Sequence, residues 1–174
     1  MSWGVGAGVA SGAPVLEIGP EYDALHGAVE AFATRGEQLF TAAQIGEQIV
    51  QLSRCRDILS REMAQLVGVF AKTGEAENQG SNNTVDWVRH HANMSWRDAV
   101  QLGVVGRHLA ELPASSAALD DGVIGFGHLV CLARNAAFSA GAKGKFDEEP
   151  LLPLASHESV NRFHHTCLKA RHAQ

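Results

Sequence analysis

The sequence has few of the features that membrane, secreted or disulfide-bonded proteins require. The 174 residues include three cysteines, an odd number, and these are too widely spaced to act as paired metal ligands. This favours unreactive free thiols in a reducing compartment. No run reaches the ~18 apolar residues of a membrane span. The first residues also lack the positively charged start of a secretory signal. We therefore expect a cytoplasmic protein without a membrane partner.

Positive charge is also scarce. The chain has 14 Lys and Arg against 19 Asp and Glu, a formal net charge of −5 at pH 7. A domain that binds DNA over a broad surface normally needs a basic face. Any contact with double-stranded DNA should therefore be local and weak. No nucleophile stands beside a recognisable base, so we predict no catalytic residue and no cofactor-binding residue.

No segment of useful length alternates with the period of a β-strand. Apolar residues make up 45% of the chain, enough for the core of one domain. Helical periodicities alternate with Gly, Pro and Asn stops, which predicts an all-α fold. We expect an irregular multi-helix bundle with one long N-terminal helix and at least six helices. Residues 1–18, rich in Gly and Ala, should be a disordered tail. Residues 19–174 should form the helical domain, continuing or truncated at its C-terminus.

The longest predicted helix follows Thr41, which forms a capping pattern with Gln44, and it ends before Gly74. Its apolar residues keep a 4-3 spacing over about four heptads, broken only at Arg56. A helix of this length needs a partner surface. That surface is either a first helix beginning at Pro20 together with the later bundle, or a second copy, giving a homodimer through residues 42–73. The repeating residues are Ile45, Ile49, Leu52, Leu59, Met63, Leu66 and Phe70.

Caps and stops divide the rest of the chain. Asn93 closes one short helix, Ser95 and Asp98 open the next, and Pro113 terminates it. In chain order we predict a loop at 74–83, helices at 84–92 and 96–111, one or two turns at 114–121, an apolar helix at 126–136, an irregular segment at 139–155 and a last helix from 156 toward 174.

Residues 84–111 have the outline of a helix-turn-helix. The polar stripe of the second helix is narrow, and Arg89 stands where the motif needs a small side chain. We therefore favour a packed helical hairpin and keep DNA recognition as the alternative. In that alternative the contacts would be Arg97, Gln101 and His108.

Arg107 falls on the apolar side of this second helix, one turn after Gly103. It extends to solvent or pairs with Glu111 at i+4, or it binds a phosphate. Trp87 and Trp96 stand beside apolar neighbours near the starts of their helices. We predict that both are core residues.

The last predicted helix has a basic, His-rich face, although the whole chain is acidic. His side chains gain charge on mild acidification, so a DNA contact here should strengthen near pH 6. His164 and Cys167 are spaced to share a metal, but zinc would need two more ligands, so we predict no metal site. The residues predicted to contact DNA phosphate are Arg162, His164, His165, Lys169, Arg171 and His172.

Several motifs between residues 40 and 172 occur in an order that resembles the helical module named domain of unknown function 222. They are the Trp-bearing helix, the Ser-capped helix, RHLAELP beside that family's Arg-x-Leu-x-x-Leu-Pro signature, and the Gly-Val-Ile segment at 122–124 before an Ala-rich helix. In that family the module usually precedes an HNH nuclease domain, mostly in actinobacterial and related proteins.

The resemblance implies a non-catalytic accessory module that positions or regulates an HNH endonuclease on DNA. These 174 residues contain no HNH motif, so no catalytic residue is carried over. A divalent metal is implied only if an HNH domain follows in the full protein. The alternative is a helical module for protein–protein interaction or self-association, without a role on nucleic acid.

Overall fold

A computed structural model describes residues 19–36, 39–142 and 144–172, and within them all regular secondary structure is helical, as predicted. The predicted disorder of residues 1–18 lies outside the described residues. A 3₁₀ turn spans Leu109–Glu111. The α-helices are α1 (Pro20–Ala33), α2 (Ala42–Phe70), α3 (Glu75–Asn78), α4 (Thr84–His91), α5 (Trp96–His108), α6 (Pro113–Asp120), α7 (Phe126–Gly141), α8 (Leu152–His157) and α9 (Val160–His172).

The chain divides into two compact units between Thr41 and Ala42. The first unit contains α1, which begins with Pro20 at a position that needs no backbone N–H donor. No residue of α1 is buried. The second unit contains α2 to α9.

The core of the second unit is built by α2, α5, α7 and α9, each packed against the next in this order. The apolar spacing that predicted these helices supplies its side chains. Val105 of α5, Leu132 of α7 and Phe163 of α9 are fully buried. Burying a side chain of this kind contributes about 1.5–3 kcal/mol. Helix α5 is central, because it also contacts α4.

Two glycines allow α2 and α5 to cross with their backbones in contact. A Cβ atom placed on Gly68 would lie 2.6 Å from the carbonyl carbon of Gly106, and one placed on Gly106 would lie 2.8 Å from the backbone nitrogen of Gly68. Any larger side chain would force the two helices apart. The crossing fixes the C-terminal half of α2 against the centre of the core.

The turn between α4 and α5 follows the predicted caps. The Oδ1 atom of Asn83 accepts a hydrogen bond from the backbone N–H of Asp86 at 2.9 Å, and Ser95 Oγ accepts one from Asp98 N at 3.2 Å. Asn93 adopts φ 51°, in the left-handed region that a short polar side chain tolerates. These local signals placed the starts of both helices correctly and the end of α4 to within one residue.

Pro113 has one role beyond the predicted one. Helix α5 ends at His108, the 3₁₀ turn that follows it ends at Glu111, before Pro113, and Pro113 also opens α6. The start of α6 is capped from far along the chain. The Glu148 carboxylate accepts hydrogen bonds from Ala114 N at 2.8 Å, from Ser115 N at 2.9 Å and from the Ser115 hydroxyl.

The single last helix predicted from residue 156 is wrong. Helix α8 ends at His157, Glu158 is extended with ψ 147°, and α9 begins at Val160. The carbonyl of Glu158, released from helical hydrogen bonding, accepts a bond from His128 Nε2 at 2.9 Å, while His128 Nδ1 accepts from Gly125 N at 3.2 Å. A tertiary contact therefore stabilises the break. The predicted loop 74–83 also contains α3, and α7 extends beyond residue 136 to Gly141.

Candidate interaction surfaces

Three of the residues predicted to contact phosphate share one exposed side of α9. Arg162, His165 and Lys169 follow each other at three- and four-residue spacing, and all three are exposed. Arg162 Nε lies 3.3 Å from the Glu158 carboxylate, but its side chain is 78% exposed, so this pair contributes little to stability. We call these three residues the α9 basic edge.

Two further predicted contacts lie in the interface between α7 and α9. His164 is half-buried, with Nδ1 3.9 Å from the Cys131 sulfur. Arg171 Nε donates a hydrogen bond to Asn135 Oδ1 at 2.6 Å, and its guanidinium carbon lies 5.7 Å from the Phe138 ring centre. These contacts hold α9 on α7. His172 is the last described residue of α9.

The two buried cysteines are held as thiols. Burial, with a smaller effect from the neighbouring Cys131, raises the pKa of Cys167 from 9.0 to about 12, and burial also raises the pKa of Cys131. The metal pair considered in the sequence, His164 with Cys167, differs from the contact formed, which joins His164 to Cys131. Within the described part of the chain, no group of three or more His, Cys, Asp or Glu side chains has an arrangement suited to a metal ion.

The helix-turn-helix outline corresponds to α4, its turn and α5. Helix α5 packs against α2, α4 and α7, as expected of a bundle helix. Of its three predicted base contacts, Arg97 is exposed and Gln101 is half-buried. His108 Nδ1 lies 2.8 Å from the Glu111 carboxylate, with 16% of its side chain exposed. Of these three predicted contacts, Arg97 is thus the one exposed to solvent.

The prediction that Trp96 belongs to the core is wrong, since 54% of it is exposed. Trp96 lies on the side of α5 that holds Gly103 and Arg107, and Val85 of α4 lies beside Gly103 on this side. Trp96 lines an open cavity of about 380 Å³ together with Arg107 and Glu77. Arg107 Nε donates to the Gly103 carbonyl at 3.2 Å, while Glu111 pairs with His108.

Trp87 is half-buried and packs against the core. Its Nε1 atom donates to Gln79 Oε1 at 2.7 Å. Its ring stacks on His91 with 4.2 Å between centroids and lies 4.5 Å from Phe70. The indole therefore joins α2 to α4.

The apolar heptad residues of α2 remain on the surface along nearly the whole helix. Ala64, Val67 and Gly68 are the buried residues of α2, and the heptad residues lie roughly a quarter turn away at ~100° per residue. Exposure within the set ranges from 39% at Leu59 to 62% at Ile49. We call this set the α2 stripe: Ile45, Ile49, Leu52, Leu59, Met63 and Leu66.

The α2 stripe leads into an apolar groove at the C-terminal end of the helix. The groove has a volume of about 450 Å³. Leu66 and Phe70 of α2 line it opposite Trp87 of α4 and Ala92, the residue that follows α4. Heptad spacing alone predicted the stripe. The groove was missed because it depends on where α4 packs, and no local pattern encodes that.

Comparison with known proteins finds no matching family model, no matching curated protein and no matching solved structure. The likeness to domain of unknown function 222 therefore stays a prediction. Among the described residues, no helix combines the length and the apolar character needed to cross a bilayer.

Proposed function

We propose that the chain is a non-catalytic helical interaction module that binds an apolar helix of a partner along the α2 stripe. The observation that carries the proposal is the exposure of every member of this stripe from Ile45 to Leu66, which Arg56 interrupts at one layer. Single exposed apolar side chains are ordinary, but a contiguous apolar surface marks an interaction site. A groove beside a helix is a surface that accepts the apolar face of another helix.

A fluorescent amphipathic peptide with leucines at heptad a and d positions tests this proposal. Its anisotropy should rise to saturation when the protein is added. Leu66→Glu puts a charge at the entrance of the groove and should weaken binding about tenfold or more, equivalent to ~1.4 kcal/mol. Leu154→Glu is the matched control, because Leu154 is a similarly exposed leucine on α8. Equal binding by both variants, or no binding by a native chain that is monomeric, would overturn the proposal.

A contact with double-stranded DNA is the second candidate, and the α9 basic edge favours it. Arg162, His165 and Lys169 project from one side of α9 without a buried role. Such a contact would let this module position or regulate an HNH nuclease domain on DNA, with a divalent metal belonging to that domain. The free exposed Cys55 and the buried thiols Cys131 and Cys167 are consistent with a cytoplasmic setting.

Duplex DNA titrated at two salt concentrations tests the second candidate. Binding should be weak and should fall steeply with salt, because phosphate contacts release counterions. Arg162→Ala with Lys169→Ala should abolish it, whereas Arg97→Ala should leave it unchanged. Salt-insensitive binding that fails only with Arg97→Ala would support the helix-turn-helix instead.

A further inference from the structure

We infer that the partner of the α2 stripe is the α2 stripe of a second copy, bound antiparallel about a two-fold axis. This inference rests on the proposed interaction function and names its partner. The stripe together with Phe70 of the groove extends roughly 38 Å along α2 at ~1.5 Å per residue. It spans almost four heptads, and helix pairing of the coiled-coil type needs about three to four.

Arg56 decides the direction of the pairing. It occupies a heptad seam position with 72% of its side chain exposed, and its guanidinium contacts Asp57 and Ser53 of its own helix. A parallel pair would place two Arg56 guanidinium groups in one layer, and like charges in contact repel. An antiparallel pair places Arg56 against the partner's Leu59 and beside the partner's Glu62, which supplies the opposite charge.

The antiparallel register also matches the two ends of α2 to each other. Ile45 then lies opposite the partner's Phe70, and Ile49 lies opposite the partner's Leu66. The first half of α2 has no buried residue, while the apolar groove lies at the other end. The exposed end of each copy therefore fills the groove of the other.

Because the same contact occurs twice, the arrangement is isologous and closes as a dimer. It needs no residue outside α2 and α4. It also shields the apolar side chains that a single copy leaves in water. A partner of unrelated sequence would have to reproduce this spacing and the charge opposite Arg56.

Sedimentation equilibrium of the full chain tests the dimer. The native chain should be dimeric at micromolar concentration, and Leu59→Glu should be monomeric. Leu154→Glu should remain dimeric, because Leu154 is 41% exposed, close to the 39% of Leu59, but lies on α8. Circular dichroism of each variant checks that the helices persist. A native chain that stays monomeric across the concentration range overturns the inference.

Disulfide trapping tests the direction. In a Cys55→Ser background, a tagged Leu52→Cys chain is mixed with an untagged Met63→Cys chain and oxidised, so that Arg56 stays in both copies. An antiparallel pair brings residues 52 and 63 of different copies within the ~4.4–6.8 Å Cα separation that a disulfide needs, so the mixed product should dominate. A parallel pair would give the two homodimers instead, and that result overturns the inference.

The two proposals fail in distinguishable ways. If the native chain is monomeric but still binds the amphipathic peptide, the interaction function is supported and a second copy is excluded as the partner. If oxidation gives the two homodimers, self-association is supported and the antiparallel arrangement is excluded. A monomeric chain that binds no peptide overturns both proposals.

Discussion

At the scale of single residues, Glu148 joins parts of the second unit that are distant in sequence. Glu148 is buried, with an exposure of 7%. It accepts the backbone N–H groups of Ala114 and Ser115, which α6 cannot satisfy itself. The segment after α7 is thereby tied to the start of α6.

Glu148→Ala should lower the free energy of unfolding by about 1–3 kcal/mol, because it leaves buried N–H donors without a partner. Chemical denaturation followed by circular dichroism measures this change. Glu149→Ala is the control, since Glu149 is exposed and adjacent in sequence. An equal loss of stability in both variants would contradict the assigned role of Glu148.

The cysteines should differ sharply in reactivity. The thiolate is the reactive form, and the pKa of about 12 keeps Cys167 protonated at pH 8. We expect iodoacetamide at pH 8 to modify the exposed Cys55 first, and to reach Cys131 and Cys167 only after unfolding. Mass spectrometry of peptides identifies the sites. Rapid modification of Cys167 in the folded chain would refute this prediction.

The same shift predicts a pH dependence of stability. The pKa of Cys167 is raised in the folded state, so above about pH 9 the folded chain holds a proton that the unfolded chain has lost. The contribution of the Cys167 thiol to the free energy of unfolding is fully present below about pH 9 and is lost as the pH rises toward about 12.

At the scale of elements, the crossing of α2 and α5 depends on having no side chain at Gly68. Gly68→Ala should destabilise the protein by about 1–3 kcal/mol, because the added Cβ meets the Gly106 backbone and not a flexible side chain. Gly46→Ala on the same helix meets nothing within 4 Å and should stabilise it by roughly 0.5–1 kcal/mol through helix propensity. Thermal unfolding of both variants measures the difference. A stabilising Gly68→Ala would show that the crossing can relax.

The sequence predicted those parts of the fold that depend on neighbours along the chain. The caps at Asn83 and Ser95 and the left-handed Asn93 use side chains within three residues, so their patterns could be recognised. The exposure of Trp96 could not be recognised from the sequence, because it depends on how far α4 extends over α5. The break at Glu158 also needed His128, thirty residues earlier in the chain.

The sequence predicted the α2 stripe and the α9 basic edge only in those features that depend on a single helix. Heptad spacing gave the α2 stripe, since one helix determines which of its residues share a side. Composition identified α9 as the basic segment, but not that Arg171 would bond to Asn135 instead of facing solvent. Long polar side chains choose among tertiary partners, and a single sequence does not specify that choice.

At the scale of the whole second unit, α9 is part of the core and not an appendage. Phe163→Ala should lower the free energy of unfolding by about 3–5 kcal/mol, because the ring is fully buried. Phe138→Ala, at a ring that is 46% exposed, should cost about 1 kcal/mol or less. Guanidinium denaturation compares the two. Similar costs would mean that α9 does not belong to the cooperative core.

The uneven burial of α2 also determines how this helix opens and forms. Its first buried residue is Ala64. Just before it, Ile58 packs against the core and Arg61 lies 3.0 Å from the Asp120 carboxylate, whereas residues 42–52 include no buried side chain. In a single copy, amide hydrogen exchange should be fast near Ala42 and should slow toward Phe70, where α5 holds the backbone. Folding should begin at the Gly68 crossing and proceed toward the start of the helix. The N-terminal end of α2 is then the last part of the helix to order and the first to fray.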